Sequence, residues 1–281
     1  MAKKVVTTIN GKFVSDAEAK ISVYDNSLLY AEGLFETYMA IDENIAFPKE
    51  HFERLQKGAR LLNIKIPVYE NTLLKWLTST AAKHPARIKR LRLTITSGDS
   101  TVWKAGPGKP RVICSSIEHQ FDFSPQKLYV PQFRVDDGSS FNQIKTIAYG
   151  LRAAALREAQ KKKCEDALLL NNKGNISEMT SANIFWVKEN RIFTPPVSAG
   201  CLEGVTRRVI LEQGKEQNWN IAEKNCTLEE LAGADEVFST SSVRLARPIG
   251  FVKQKSESFK ISQGMTWQMI FNHLSQMLDL K

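Results

Sequence analysis

Cysteine is scarce in this sequence, and the few cysteines are far apart. The 281 residues include only four, Cys114, Cys164, Cys201 and Cys226. None of them forms the close pair that a zinc site or a thiol redox motif requires. No run approaches the roughly 20 apolar residues that span a bilayer, and polar residues interrupt the apolar stretch that a signal peptide needs. We therefore expect a reduced, cytoplasmic protein without a membrane segment or a metal site.

Charge is plentiful but poorly clustered. The formal net charge is +9, with 42% hydrophobic and 25% charged residues, the composition of an ordinary soluble globular protein. The only tight basic triplet lies at residues 161–163. It closes a predicted helix, where cations meet the negative end of the helix dipole. We interpret it as a solvated helix end and expect no nucleic-acid partner.

The length and the element pattern predict two domains that mix strands and helices. The chain is longer than the roughly 100 to 200 residues of a typical single domain. Residues 118–125 lose their apolar periodicity, which is typical of a linker. The predicted bounds are 1–120 for the first domain, 121–127 for the linker and 128–281 for the second domain.

Periodicity and turn signals predict the elements of each domain. In the first domain they are a hairpin at Asn10-Gly11, strands at 35–41, 90–96 and 111–117, and helices at 51–63 and 73–82. In the second they are strands near Leu128 and at 166–170, 184–187, 191–193 and 237–238, and helices at 147–163 and 204–216. Arg54 falls in the first turn of its helix, and Lys145 lies just before one. Thr227 and Glu230 have the spacing of a capping box, and residues 239–242 form a predicted loop.

A lysine with apolar neighbours is the first candidate for chemistry. Most lysines are solvated surface charges, but Lys145 lies between Ile144 and Thr146-Ile147, where burial would lower the pKa of its amine and free a nucleophile. Thirty-three positions later, Glu178 places a carboxylate beside an apolar strand. This residue is either an ordinary edge acid or a carboxylate directed at a bound group.

A glycine followed by a hydroxyl residue marks the start of the helix predicted at 204–216. Free backbone N–H groups and the positive end of the helix dipole favour an anion there, with Thr206 adding a donor. The same pattern also fits a plain N-cap. The loop at 239–242 is a second candidate for phosphate, and Arg54 could supply a bidentate charge.

Seven segments of the chain follow one another in a distinctive order. They are residues 28–37 (LLYAEGLFET), 51–55 (HFERL), 144–146 (IKT), 165–170 (EDALLL), 178–185 (EMTSANIF), 194–196 (TPP) and 202–207 (LEGVTR). Their order and spacing resemble the class IV (fold type IV) aminotransferases, which depend on pyridoxal 5′-phosphate (PLP), from Asn10 to about Phe251. That family includes branched-chain aminotransferases, D-amino acid aminotransferases, some R-selective amine transaminases and aminodeoxychorismate lyase. The resemblance implies an α+β fold with a smaller N-terminal α/β sandwich and a larger C-terminal pseudo-barrel domain with flanking helices.

The resemblance also implies a role for each candidate residue. Lys145 forms the Schiff base with PLP, and Glu178 pairs with the pyridine nitrogen and keeps it protonated, which makes the ring an electron sink. The implied phosphate ligands are Arg54, Gly204, Val205, Thr206 and Ser242, and Tyr149 is expected to reach the phenolic oxygen. The implied substrate residues are Tyr30, Phe35, Val243 and Arg244.

The implied reaction moves an amino group between an amino acid and a 2-oxo acid such as 2-oxoglutarate. A homodimer is implied as well, because the active sites of the family usually form near a dimer interface. A non-catalytic binding protein is disfavoured, since Lys145, Glu178 and Arg54 are all retained.

The substrate is left open among three activities. D-specific members carry an Arg-x-His pair where this chain has Val102 and Lys104, which argues against a D-amino acid aminotransferase. Branched-chain enzymes usually have Tyr-Gly where this chain has Tyr30-Ala31, and the spacing from Lys145 to Asp166 is closer to the lyase and D-amino acid branches. We expect a branched-chain-like aminotransferase. The alternative is aminodeoxychorismate lyase, which releases pyruvate and 4-aminobenzoate.

Overall fold

The computed structural model describes residues 4–99 and 108–280. The chain divides into two compact units, one formed by Met1–Gln120 with Ile144–Ala148 and the other by Phe121–Gln143 with Tyr149–Lys281. The domain bounds given above remain a prediction, to which this division adds that the segment around Lys145 groups with the first unit. Within the described ranges, no helix combines the length and the apolar character needed to cross a membrane.

Among the described residues, the first unit is built on an antiparallel sheet with three α-helices. Its strands are β1 (Val5–Ile9), β2 (Lys12–Val14), β3 (Gly33–Ile41), β4 (Asn44–Ile45), β5 (Ile88–Thr96) and β6 (Val112–Glu118), and its helices are α1 (Asn26–Leu29), α2 (Pro48–Leu61) and α3 (Glu70–Lys83). The strand order is β2-β1-β6-β5-β3-β4. The predicted hairpin is confirmed, and it turns through Asn10 and Gly11 with φ values of 50° and 77°. Both values lie in the left-handed region that a tight hairpin turn requires.

Alternation along β5 explains how this sheet buries one face. Leu91, Leu93 and Ile95 are fully buried and pack with residues of α2 and α3 such as Leu55 and Leu77. Removing this apolar surface from water stabilises the unit at roughly 25 cal/mol per Å². The helices therefore lie against the face of the sheet that carries these residues.

Helix α2 begins three residues earlier than predicted. Pro48 occupies its first turn, where the missing backbone N–H costs nothing, and Phe47 precedes it in the left-handed conformation. The prediction that Arg54 lies in the first turn is therefore wrong, because Arg54 lies in the second turn.

The described part of the second unit holds a larger mixed sheet and four α-helices. Its strands are β7 (Gln126–Tyr129), β8 (Arg134–Val135), β9 (Asp166–Asn171), β10 (Ile176–Met179), β11 (Asn183–Lys188), β12 (Arg191–Thr194), β13 (Ile221–Glu223), β14 (Glu236–Ser241), β15 (Leu245–Gln254) and β16 (Glu257–Lys260). Its helices are α4 (Gly150–Lys161), α5 (Val205–Glu216), α6 (Leu228–Ala232) and α7 (Thr266–Met277). The strand order is β10-β9-β7-β15-β14-β11-β12-β13, with β16 on β15 and β8 on β9.

Local signals predicted several of these elements and misplaced two. The β11–β12 hairpin and the capping box of Thr227 and Glu230 are confirmed. The helix expected at 147–163 begins only at Gly150, since Thr146 is bridged to Leu34 of β3 and cannot be helical. The loop expected at 239–242 is also wrong for its first three residues, because β14 continues to Ser241 between β11 and β15.

Candidate active site

Lys145 is fixed by backbone hydrogen bonds to the start of β3. Its carbonyl accepts a hydrogen bond from the Phe35 N–H at 2.9 Å, and the Ile147 N–H donates to the Gly33 carbonyl at 3.0 Å. A Cβ on Gly33 would lie 2.7 Å from the Ile147 side chain and 2.9 Å from the Ile95 carbonyl, so only glycine permits this approach. Lys145 is half-buried, and its amine lies 4.7 Å from the centroid of the Phe35 ring. Its side chain is therefore held against the fold rather than in bulk solvent.

A buried ion-pair network holds Arg54 in the same unit. Arg54 Nε donates to Glu36 Oε1 at 2.9 Å and its Nη2 donates to Glu36 Oε2 at 2.5 Å, the bidentate geometry that fixes a guanidinium in one plane. His51 Nδ1 lies 2.7 Å from Glu36 Oε2, and both of these residues are completely buried. Because an ionised carboxylate only accepts hydrogen bonds, the His51 Nδ1–H donates.

The charges in this network follow from its burial. Burial alone would raise the pKa of Glu36, but the Arg54 charge and the hydrogen bonds from His51 and Arg54 outweigh it and lower the pKa to about 2. Burial also lowers the pKa of His51, against the opposing pull of Glu36. Glu36 is therefore ionised and His51 neutral at pH 7.

A β-bulge determines the direction of Glu178 in the second unit. Along the β10–β9 pair, Ile176 is opposite Leu170 and Glu178 is opposite Leu169, which leaves Ser177 as an extra residue. Ile176 consequently faces the same apolar core as Leu170, whereas Leu169 packs with Ala155 and Ala159 of α4. Glu178 therefore lies on the side of the sheet that α4 covers.

Both oxygens of the Glu178 carboxylate have protein donors. Arg152 of α4 donates a short hydrogen bond to Oε1, and the Leu202 N–H donates to Oε2 at 3.2 Å. Glu178 is only 4% exposed. The Arg152 pKa is raised, first by the Glu178 charge and against desolvation, so the two residues form a charged pair.

Tyr149 and Arg244 belong to a polar network around Asp166. The Tyr149 hydroxyl donates to the Thr180 carbonyl, and burial raises the pKa of this phenol to about 12. Arg244 donates to Ser181 Oγ at 3.1 Å and lies 3.7 Å from Asp166 Oδ2. Tyr149 is therefore a neutral donor, and the Arg244 charge is paired with the Asp166 carboxylate.

The start of α5 has the properties of an anion site. Gly204 is its N-cap, and a Cβ there would lie 2.0 Å from Asn183 Oδ1, so the backbone approaches this side chain as closely as glycine allows. Thr206 is 2% exposed, and its Oγ1 has no hydrogen-bond partner among the described residues. The Thr240 hydroxyl is likewise buried without a described partner, and Thr240 is opposite Asn183 in the β14–β11 pair. Residues opposite each other in an antiparallel pair point to the same side, so this side chain points the same way as Asn183.

These observations fit a phosphorylated cofactor. A buried hydroxyl without a partner costs about 1 to 3 kcal/mol, and an anion at a helix N-terminus would satisfy it. The twelve residues of α5 provide the helix dipole.

The predicted site residues divide between the two units. Lys145, Arg54 and Phe35 belong to the first unit, and Tyr30 there is 43% exposed. Glu178, Tyr149, Gly204, Val205, Thr206, Ser242, Val243 and Arg244 belong to the second. The roles given to these residues remain predictions. Val102 and Lys104 lie outside the described residues.

Three polar residues near these groups were not predicted from the sequence: Glu36, His51 and Arg152. Thr240 was predicted only as part of the candidate phosphate loop at 239–242, not as a strand residue. His51 and Arg152 could have been found by helical spacing, three residues from Arg54 and Tyr149 respectively. Glu36 and Thr240 needed the strand register, which no local signal supplies.

Comparisons with known proteins agree on one family. Residues 33–250 match the family model described as "Amino-transferase class IV". A Methanocaldococcus jannaschii protein named "Putative branched-chain-amino-acid aminotransferase" is 32% identical over 246 residues, 86% of this chain and 85% of the relative. Aminodeoxychorismate lyase of Bacillus subtilis is 28% identical over 241 residues, 84% of this chain and 82% of the relative.

A solved structure shows the same fold. The branched-chain aminotransferase of Thermoproteus uzoniensis, crystallised with norvaline, superimposes with a TM-score of 0.87 at 24% identity, over 97% of this chain and 94% of that one. This likeness confirms the predicted α+β fold class. The family match confirms the predicted transaminase class and PLP as the cofactor. The chain belongs to the class IV aminotransferases.

Proposed function

We propose that this protein transfers the amino group of a branched-chain amino acid to a 2-oxo acid such as 2-oxoglutarate. The observation that carries the proposal is the buried, unpartnered hydroxyl of Thr206 in the first turn of α5, among the described residues. It is a donor placed for an anion at the position where the family binds the PLP phosphate. The similarity to a relative named as a branched-chain enzyme supports the choice of substrate.

The proposed ligands of the cofactor are the residues predicted from the sequence. Thr206 and the N–H groups of Val205 and Thr206 would bind its phosphate, together with Arg54 and Ser242. Arg54 suits this role because Glu36 already fixes the plane of its guanidinium. Glu178 would accept a hydrogen bond from the ring nitrogen. Each of its oxygens has one described donor, which leaves lone pairs available.

Lys145 is the proposed proton carrier of the reaction. Bound PLP supplies an electron sink for the negative charge that develops at the substrate α carbon. The Lys145 amine would take the proton from that carbon and return it, as general base and then general acid. Its backbone bonds to β3 fix the point from which the amine reaches the substrate, since segment 145–147 cannot move without breaking them.

Aminodeoxychorismate lyase is the second candidate, favoured by the Bacillus subtilis relative. The D-amino acid aminotransferase is the third. The lyase would use the same Lys145 and Glu178 but would release pyruvate and need no 2-oxo acid. Dependence on an amino acceptor therefore separates it from both aminotransferases.

The test is a panel of L- and D-amino donors with 2-oxoglutarate, run beside an assay for pyruvate release from aminodeoxychorismate. We expect glutamate formation from leucine, isoleucine and valine. The control Lys145→Ala should lose both turnover and the visible absorption band of the bound cofactor. Pyruvate release without an acceptor would favour the lyase, and persistence of the band in the variant would contradict the role of Lys145.

We also propose a cytoplasmic homodimer. The support is the family resemblance together with the scarcity of cysteine, which suits a reducing compartment. Light scattering after size exclusion should give twice the 31.7 kDa chain mass, and a monomer mass would refute the dimer.

A further inference from the structure

Arg152 has no part in the function proposed so far, but it forms an ion pair with Glu178. Arg152 is the third residue of α4, and its side chain is 21% exposed, against 6% for Glu178. Its guanidinium donates to Oε1 while the Leu202 backbone donates to Oε2. The carboxylate is therefore held at both oxygens, from a helix and from a loop.

The bulge in β10 makes this pairing possible. With Ser177 as the extra residue, Glu178 faces α4 rather than the apolar core that contains Ile176. Arg152 lies near the start of that helix, within hydrogen-bond reach of this face. Two separate features therefore bring this pair together: the bulge in β10 turns Glu178 toward α4, and Arg152 lies near the start of that helix.

The chemistry of a buried carboxylate explains why the cation matters. A carboxylate removed from water is costly unless it is paired and hydrogen-bonded. The Arg152 guanidinium supplies both a charge and a directed hydrogen bond to Glu178. Arg is suited to this role because it remains charged in proteins and donates from a rigid plane.

We propose that Arg152 is a positioning residue for the reaction: it holds the Glu178 carboxylate in one orientation so that it accepts the hydrogen bond from the ring nitrogen of the cofactor. This inference rests on the proposed function. It assigns Arg152 no direct contact with substrate or cofactor. It predicts that the effect of Arg152 on cofactor binding passes entirely through the ring nitrogen and Glu178.

The test compares PLP with 1-deaza-PLP, which carries a carbon in place of the ring nitrogen. We expect Arg152→Met to weaken PLP binding by about tenfold or more, because a hydrogen bond to a charged group contributes about 1.5 to 3 kcal/mol. Binding of 1-deaza-PLP should be nearly unchanged by the same substitution. Arg152→Lys should recover part of the PLP affinity. Arg157→Met, an exposed arginine on the same helix, is the matched control.

A double-mutant cycle with Glu178→Gln completes the test. Once Glu178 is neutral, Arg152→Met should have little further effect on the dissociation constant for PLP. Equal weakening of PLP and 1-deaza-PLP, or no weakening of either, would overturn the inference while leaving the proposed function intact. Failure of the wild-type protein to bind PLP would instead overturn the proposed function.

Discussion

Replacing Glu36 with glutamine should destabilise the protein by an amount that depends on pH. The carboxylate is completely buried and bonded to Arg54 and His51, so Glu36→Gln leaves a guanidinium charge in the interior without its counter-charge. Removing one partner of a buried pair typically costs about 3 to 5 kcal/mol. The lowered pKa of Glu36 gives a second figure. A fall from 4.5 to about 2 corresponds to about 3 kcal/mol at pH 7.

The sign of the pH dependence follows from the direction of that shift. The folded-state pKa lies below the unfolded value, so the contribution is complete above pH 4.5 and is lost as the pH falls through about 2. The stability difference between wild type and Glu36→Gln should therefore be smaller at pH 3 than at pH 7, by about 2 kcal/mol.

Urea-induced unfolding of the two proteins from pH 7 to pH 3 measures this difference. Glu118→Gln, an exposed acid at the end of β6, is the control and should change stability by less than about 0.5 kcal/mol. A difference that stays constant across the pH range would refute the reasoning, since it would show that Glu36 stabilises the fold by packing alone.

Three further substitutions test other parts of the structure. Thr206→Val should weaken PLP binding about tenfold but leave pyridoxal binding unchanged, as measured by spectral titration. It should not destabilise the apoprotein, since it removes a buried hydroxyl without a described partner. Gly33→Ala should shift segment 145–147 and reduce the visible band of bound cofactor, whereas Gly150→Ala, where a Cβ would meet nothing within 4 Å, should leave it intact. Glu236→Ala should lower the melting temperature, because the Thr266 and Trp267 N–H groups donate to this carboxylate at 3.0 and 2.7 Å. Each donor left unsatisfied costs about 1 to 3 kcal/mol. An unchanged melting temperature would contradict this role of Glu236.

Features encoded within a few residues were predictable from the sequence. The Asn10-Gly11 turn, the capping box of Thr227 and Glu230 and the helix after Gly204 depend on local backbone preferences, and all three are confirmed. The order of the seven segments was sufficient to identify the family, because that comparison needs no coordinates.

Features that depend on register were not predictable. The extra residue at Ser177 becomes visible only when β10 is paired with β9, and the Arg152–Glu178 contact depends on it. Tertiary bonds also overrode helical periodicity at residues 147–149, where the bridge from Thr146 to Leu34 holds the chain out of a helix. The unpartnered hydroxyl of Thr240 was hidden because serine and threonine resemble a loop when strand pairing is unknown.

The extra residue in β10 lets one short strand meet two structural requirements, an apolar face for the core and a carboxylate that faces α4. Ile176 and Met179 meet the apolar core on one side while Glu178 points to the other, although residues 176 and 178 would share a face in a regular strand. Ile176 and Met179 can therefore be replaced by other apolar residues of similar volume without changing the direction of the Glu178 side chain. A regular strand that kept Ser177 would instead pair Glu178 with Leu168 and turn the acid toward the apolar core.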